Sequence, residues 1–522
     1  MTCSWWRLAL AVALAGGCND GEGGDSGGSS DTAAAAEPVR YSGVETYLPL
    51  GGEPIAIAKD PEAGGDDLHI EQDGQVFEGV YDGKAWLVFD GVPEGTFQLH
   101  RHYAADPELP GAPSVRSIIE TDRRDLYEGR TSSGRPDVTL ASSDATGLSL
   151  DVGAMTPLGL VDRFEVRSYN VDALADLDVG EGVAPGEPLE GDDAITGWVI
   201  AWDVATTRDG PPLVDPGAGD DLWLSHLVGH WLDDWDYVDA WSDATVRTLA
   251  EAAPLALAAM VDGEQTPASG TFAPVAQRPL TVDLRGSQVT ATLATNLPSP
   301  DIYECRVRVI LEPGIDRPVF GVPPTLGEVV LSSYDPPSDR VLTFAYGNPY
   351  PIGTEILYIR CLHWLSVPHP AADESDYVYS ALELLRPVAE LDGSPIAPTL
   401  SIVQDITIDG VKLDPGSVRT GVGESPTIAF APPTVGTAEY FSVSVVTVDD
   451  ILGPGGTVLR SQKPVFGYLG EGTSVTLPAG VLEPGHYYYV RVSASNGQGL
   501  GEGRPRSHTA AYASGVTGLF TP

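Results

Sequence analysis

Aromatic and acidic side chains crowd into one short stretch of this chain. Residues 231–243 read WLDDWDYVDAWSD, so Trp231, Trp235, Tyr237 and Trp241 are interleaved with Asp233, Asp234 and further aspartates. A flat ring stacks against the apolar face of a sugar, and flanking carboxylates bond its hydroxyls or hold calcium. We take Trp231, Asp233, Asp234, Trp235, Tyr237 and Trp241 as the candidate ligand-binding residues. A core strand with a solvated acidic edge would give the same composition. Neither this stretch nor the nearby Asp215, Asp220 and Asp221 follows the D-x-D-x-D-G order of a calcium loop. No cofactor is therefore assigned, calcium being the one ion these carboxylates suggest.

Other reactive groups make weaker cases. His226 and His230 stand four apart in HLVGH, a zinc spacing on a helix, but the glutamate of H-E-x-x-H is missing. LWLSHLV reads as a strand, which puts both rings on one face, and His100 and His102 alternate in the same way. Structural or surface roles are expected for all four. Residues 24–28, GDSGG, match a serine-nucleophile string. They sit in a glycine- and serine-rich tract with no strand before or helix after to hold Ser26 on a strained turn. No catalytic residue and no metal ligand is assigned, and the chain is not expected to be an enzyme.

The elements that would position these residues are short strands. With 60 glycines and 44 prolines in 522 residues, long helices have little room. Apolar runs rich in valine, threonine and tyrosine alternate with Gly, Pro, Asp and Asn clusters. Residues 163–171 alternate cleanly. Residues 196–203 are nearly continuous and read as a central strand, and 302–311 and 355–365 form a pair. Within 242–260, Ser242 is a cap and Pro254 a breaker, so helix and strand are evenly matched there. The pattern predicts an all-β chain of several tandem β-sandwich domains, immunoglobulin-like in architecture.

Cysteine usage is sparse, at four residues. Cys305 alternates with Tyr303, Val307 and Val309, and Cys361 with Leu357 and Ile359. Each thiol therefore points with the apolar face of its strand, and a disulfide between sheets is expected. Cys18 follows a short apolar run, Leu8 to Ala15, in the string LAGGC, and the acid- and glycine-rich tract NDGEGGDSGGSSD comes next. The run is too short to span a bilayer. The segment resembles a bacterial lipoprotein signal, with Ala15 where Leu is usual. The resemblance implies lipidation of Cys18, export, and anchoring in the cell envelope. Asn19 rather than Asp favours the outer membrane.

Charge narrows the partners. Against 29 basic residues stand 74 acidic ones, a formal net charge of −45. That field disfavours nucleic acid and anionic lipid surfaces. Expected partners are the membrane through the N-terminal lipid, and a glycan or an envelope protein.

The last 120 or so residues form the best-defined module. PTIAFAPP at 426–433 is a strand ended by Pro432 and Pro433; Tyr440 opens an alternating strand. Leu482, Pro484 and Tyr488 make an L-x-P-x-x-x-Y pattern, followed by Val490, Val492 and Ala494. This resembles a fibronectin type III domain, with Phe430 where tryptophan is frequent. The resemblance implies a sandwich in which the Tyr488 hydroxyl bonds back to backbone near Leu482, and an adhesive or spacer role.

The expected organisation is a signal peptide at 1–17 and the lipidated cysteine and linker at 18–38. A small β-domain follows at 39–136, a β-sandwich at 137–298, a disulfide-bearing β-domain at 299–397, and the fibronectin-like domain at 398–522. The expected function is a lipid-anchored envelope protein with a structural, adhesive or ligand-binding role. The alternative is a carbohydrate-binding protein, or a carbohydrate-active or metal-dependent hydrolase with its site in 137–298.

Overall fold

The computed structural model describes residues 37–522, except 50–52, 54, 60–66, 84–85, 104–113, 129–130, 179–183, 205, 207–209, 232–243, 297–300, 313–322, 334–337, 351–352, 369–374, 414–417, 453–457 and 497–509. The fold is all-β and multi-domain, built of packed sheets. Among the described residues the one α-helix is Gly286–Leu293, about two turns that lay Val289 and Leu293 on the core.

Near the N-terminus, two sheets enclose a small core of Tyr41, Leu68, Ile70, Leu87, Phe89, Phe97 and Leu99. Strand Val39–Leu48 lies between Trp86–Phe89 and Ile55–Lys59, both antiparallel to it, and the short parallel strands Asp125–Glu128 and Thr131–Ser133. The facing sheet runs Gln75–Glu78, Asp67–Gln72, Phe97–Tyr103, Val115–Thr121. Asp73 and Gly74, at φ of 50° and 76°, form the two-residue hairpin turn of this sheet. That turn fixes the register, so Leu68 and Ile70 go inward while His69 and Glu71 go outward.

The second sandwich packs the sheet Ile195–Ala201, Gly147–Gly153, Gln265–Thr271, Ala256–Leu257 on the sheet containing Arg163–Ser168 and Trp223–Trp231. Ile195–Ala201 was expected to be central; it is an edge strand. Its apolar content comes from one face, with Trp198 and Ile200 in the core. Its outer rim is guarded by a loop, the Val199 N–H donating to the Pro185 carbonyl at 2.9 Å. Within 242–260 the chain is strand: Ala244–Pro254 pairs with Trp223–Trp231 across a bulge. β-Branched Thr245, Val246 and Thr248 suit that conformation.

Next, Gln277–Arg285 pairs with Asp339–Gly347, and this ribbon faces Ile302–Glu312, Thr325–Ser333, Thr354–Pro368 and Ser375–Pro387. Leu280, Val282, Leu284 and the helix pack into this core, although they precede residue 298. Cys305 and Cys361 are joined by a disulfide. The bridge expected between sheets lies instead within one sheet, because the two residues are directly opposed on neighbouring antiparallel strands. Alternation reports which face a thiol shares, and two neighbouring strands share a face as readily as two facing ones do.

The C-terminal sandwich sets Gln404–Ile408, Thr427–Ala431 and Ser474–Thr476 against Val458–Gly470, Tyr440–Leu452, Tyr487–Asn496 and Ala510–Val516. The Tyr488 hydroxyl accepts the Glu483 N–H at 2.9 Å.

These sandwiches share hydrogen-bonded edges. Ala244–Pro254 pairs with Thr325–Ser333, Ser375–Pro387 with Ala510–Val516, and Val458–Gly470 with Val115–Thr121 in parallel. Among the described residues, one sheet of 19 strands therefore runs through all four sandwiches. Side chains reinforce the seams. Buried Glu328 accepts from Arg247 Nη1 at 2.7 Å and Arg308 Nε at 2.9 Å, with Arg163 Nη1 at 3.7 Å. Burial pushes its pKa up, but the three guanidiniums prevail and hold it at about 2. At the first-to-last seam the Tyr468 hydroxyl donates to Glu120 at 3.1 Å and Arg116 Nη1 donates to the Ala479 carbonyl at 2.8 Å.

Candidate functional site

The sequence-predicted ligand residues fall largely outside the description. Trp231 closes strand Trp223–Trp231 and is 41% exposed. Asp233, Asp234, Trp235, Tyr237 and Trp241 lie outside the described residues, as do Cys18 and Ser26. The structure thus places an exposed indole where the aromatic and acidic stretch begins.

His226 and His230 are not brought together. His230 is exposed near the strand end, whereas His226 is fully buried between carboxylates. Its Nδ1–H donates to Glu251 Oε1 at 2.8 Å and its Nε2–H to Asp162 Oδ2 at 3.0 Å. Phe164 stacks on the ring at 4.6 Å. Burial alone would lower the His226 pKa, but hydrogen bonds and charges from Asp162 and Glu251 outweigh it, and the net shift is upward. Both carboxyls are held below their ordinary values by His226 and by backbone N–H donors, against the opposing effect of burial. Those donors are Gly159 and Gly229 for Asp162 and Thr156 for Glu251. The arrangement is a sealed ion triad that staples the loop at 156–162 into the sandwich. The imidazole itself has no exposed surface.

His100 and His102 share a strand face, but His100 finds its neighbours on the next strand. His69 and His100 are directly opposed in register, and their rings stack at 5.1 Å and 10°. Glu71 stands two residues after His69 on the same face. His69 Nε2 lies 3.6 Å from Glu71 Oε1, and His100 Nε2 lies 3.7 Å from Glu71 Oε2. Each distance is too long for a hydrogen bond. The His100 Nε2 atom is buried and makes no hydrogen bond. Burial lowers the His100 pKa from its ordinary 6.5; Glu71 opposes this, His69 adds to it, and the net shift is downward. Among the described residues, His69, Glu71 and His100 are the group of metal-ligating side chains whose donor atoms all fall within 4.8 Å of one another.

Sequence reasoning missed His69 and Glu71. The available signal was H-x-E alternating on a strand just before an Asp-Gly turn, with H-x-H on a later strand. Only the cross-strand register converts these into one cluster.

No protein-family model matches this chain, and no curated protein matches it.

Proposed function

We propose that this is an exported, lipid-anchored protein of the bacterial cell envelope, held at the outer membrane, with a structural, adhesive or ligand-binding role and no catalysis. The observation that carries this reading is the single hydrogen-bonded sheet passing through all four sandwiches. Such a body resists bending between its parts and suits the presentation of surfaces at a fixed distance from an anchor. The lipoprotein-like string ending at Cys18 supports the anchoring, and the fibronectin-like pattern around Tyr488, with its hydroxyl bonded to backbone five residues earlier, supports an adhesive or spacing module. The ion cluster around His226 is buried, its imidazole fully so.

The test is detergent partitioning of the protein expressed from its full sequence. Wild type is expected in the detergent phase and the envelope fraction, and Cys18→Ala in the aqueous phase. Wild-type protein that stays aqueous would end the anchored reading.

A second reading, carbohydrate binding within 137–298, is favoured by the exposed Trp231 indole at the head of the aromatic and acidic stretch.

A further inference from the structure

We propose that His69, Glu71 and His100 form a binding site for a divalent transition-metal ion of the zinc class. Two imidazole nitrogens and one carboxylate are the donor set that borderline ions such as Zn²⁺, Co²⁺ and Ni²⁺ prefer, whereas Ca²⁺ and Mg²⁺ require mostly oxygen. The spacing agrees. Zinc binds histidine nitrogen at about 2.0–2.1 Å and carboxylate oxygen at about 2.0–2.2 Å, which at a tetrahedral angle separates two ligands by roughly 3.4 Å. Here the two His–Glu pairs stand at 3.6 and 3.7 Å, through different carboxylate oxygens, and the three donor atoms lie within 4.8 Å of one another; turning the imidazoles out of their parallel stack would aim both nitrogens at one ion.

The backbone is already committed to this geometry. Leu68, Ile70 and Leu99, the residues alternating with the three ligands, are buried in the N-terminal core. They fix both strands and project His69, Glu71 and His100 from the opposite face. The buried Nε2 of His100 lacks a hydrogen bond, and a metal would supply its missing partner. Glu71 is 45% exposed at its side chain, which leaves a coordination position facing water or an incoming ligand. Bound zinc would leave two neutral imidazoles and one carboxylate around a dication, a formal charge of +1.

The test uses the full chain, stripped of metal with a chelator and titrated with Co²⁺ and then Zn²⁺. The expected result is one equivalent of Co²⁺ with a tetrahedral ligand-field spectrum, displaced by Zn²⁺. Glu71→Gln, at an exposed position that should not disturb folding, and His69→Ala are expected to weaken binding. Loss of a supporting residue alone costs 10–100-fold at metal sites, so loss of a ligand should cost about 100-fold or more. His230→Ala, at an exposed histidine elsewhere, should leave binding unchanged. The proposal is overturned if wild type shows no stoichiometric site, or if Glu71→Gln and His69→Ala both bind as wild type does.

Discussion

The imidazole of His226 and the carboxylate of Glu251 meet at 2.8 Å inside a sandwich where the imidazole has no exposure to solvent. With Asp162 on the other nitrogen, both N–H groups are donated, so the ring is held as an imidazolium. Three ionised groups in an apolar core are tolerable only as a complete set.

This set predicts a bounded pH window. His226 is raised above 6.5, so its contribution is full below that value and is lost as pH climbs through the folded pKa. Asp162 and Glu251 are lowered from 3.8 and 4.5, so theirs is full above those values and is lost as pH falls through the folded ones. The triad therefore contributes in full between 4.5 and 6.5. His226→Gln should cost about 3–5 kcal/mol in that window, the usual penalty for stranding buried charge. Urea midpoints of the two proteins across the pH range should diverge most there and converge at both ends.

His363 should act in the opposite sense. It is buried, neither ring nitrogen makes a hydrogen bond, and burial lowers its pKa to about 4. The unfolded chain takes up a proton near 6.5 and the folded one does not, so stability falls as pH drops from 6.5 toward 4. The shift corresponds to about 3 kcal/mol. His363→Leu is expected to be the more stable protein at pH 4.5 and to lose most of that acid slope. An unchanged slope in chemical denaturation would show that the proton goes elsewhere.

The bridge between Cys305 and Cys361 closes a separation of 56 residues. In the chain-entropy description such a loop stabilises by about 4 kcal/mol. Intact mass after alkylation of denatured, unreduced protein should show neither residue modified. Cys305→Ala with Cys361→Ala should lower the denaturant midpoint, and the wild type in reductant should move with it.

Trp231 separates a ligand surface from a core. Because the ring is substantially exposed, Trp231→Ala should change stability by no more than about 0.5 kcal/mol. On a glycan array the same substitution should abolish any signal that wild type gives. Undiminished glycan binding by the variant would remove this ring from the surface.

How much of this was legible beforehand depends on range. The all-β class was readable because alternation and turn residues are local. The Tyr488 region announced both its strand and its inward face, whereas 163–171 announced a strand, Arg163–Ser168, but not that Glu165 and Arg167 on its other face are buried too. The Cys305–Cys361 bond was readable from shared apolar faces, but its placement within one sheet required the strand order. His226 gave no sign of Asp162 or Glu251, since one carboxylate comes from a loop 64 residues earlier and the other from a strand next to a bulge. His69 and Glu71 were invisible for a similar reason: two-residue spacing on a strand is unremarkable until a neighbouring strand supplies the third ligand.

The shared sheet also sets the order in which this protein can be finished. Val115–Thr121 receives its outer neighbour from Val458–Gly470, and the Tyr468–Glu120 bond across that seam joins residues 348 apart. A nascent or truncated chain thus carries an open strand edge near its start until nearly the whole polypeptide has emerged. Open edges recruit other strands. Synthesis of such a chain calls for protection of that rim, and a C-terminal truncation should betray itself as aggregation of the N-terminal sandwich rather than as a shorter soluble protein.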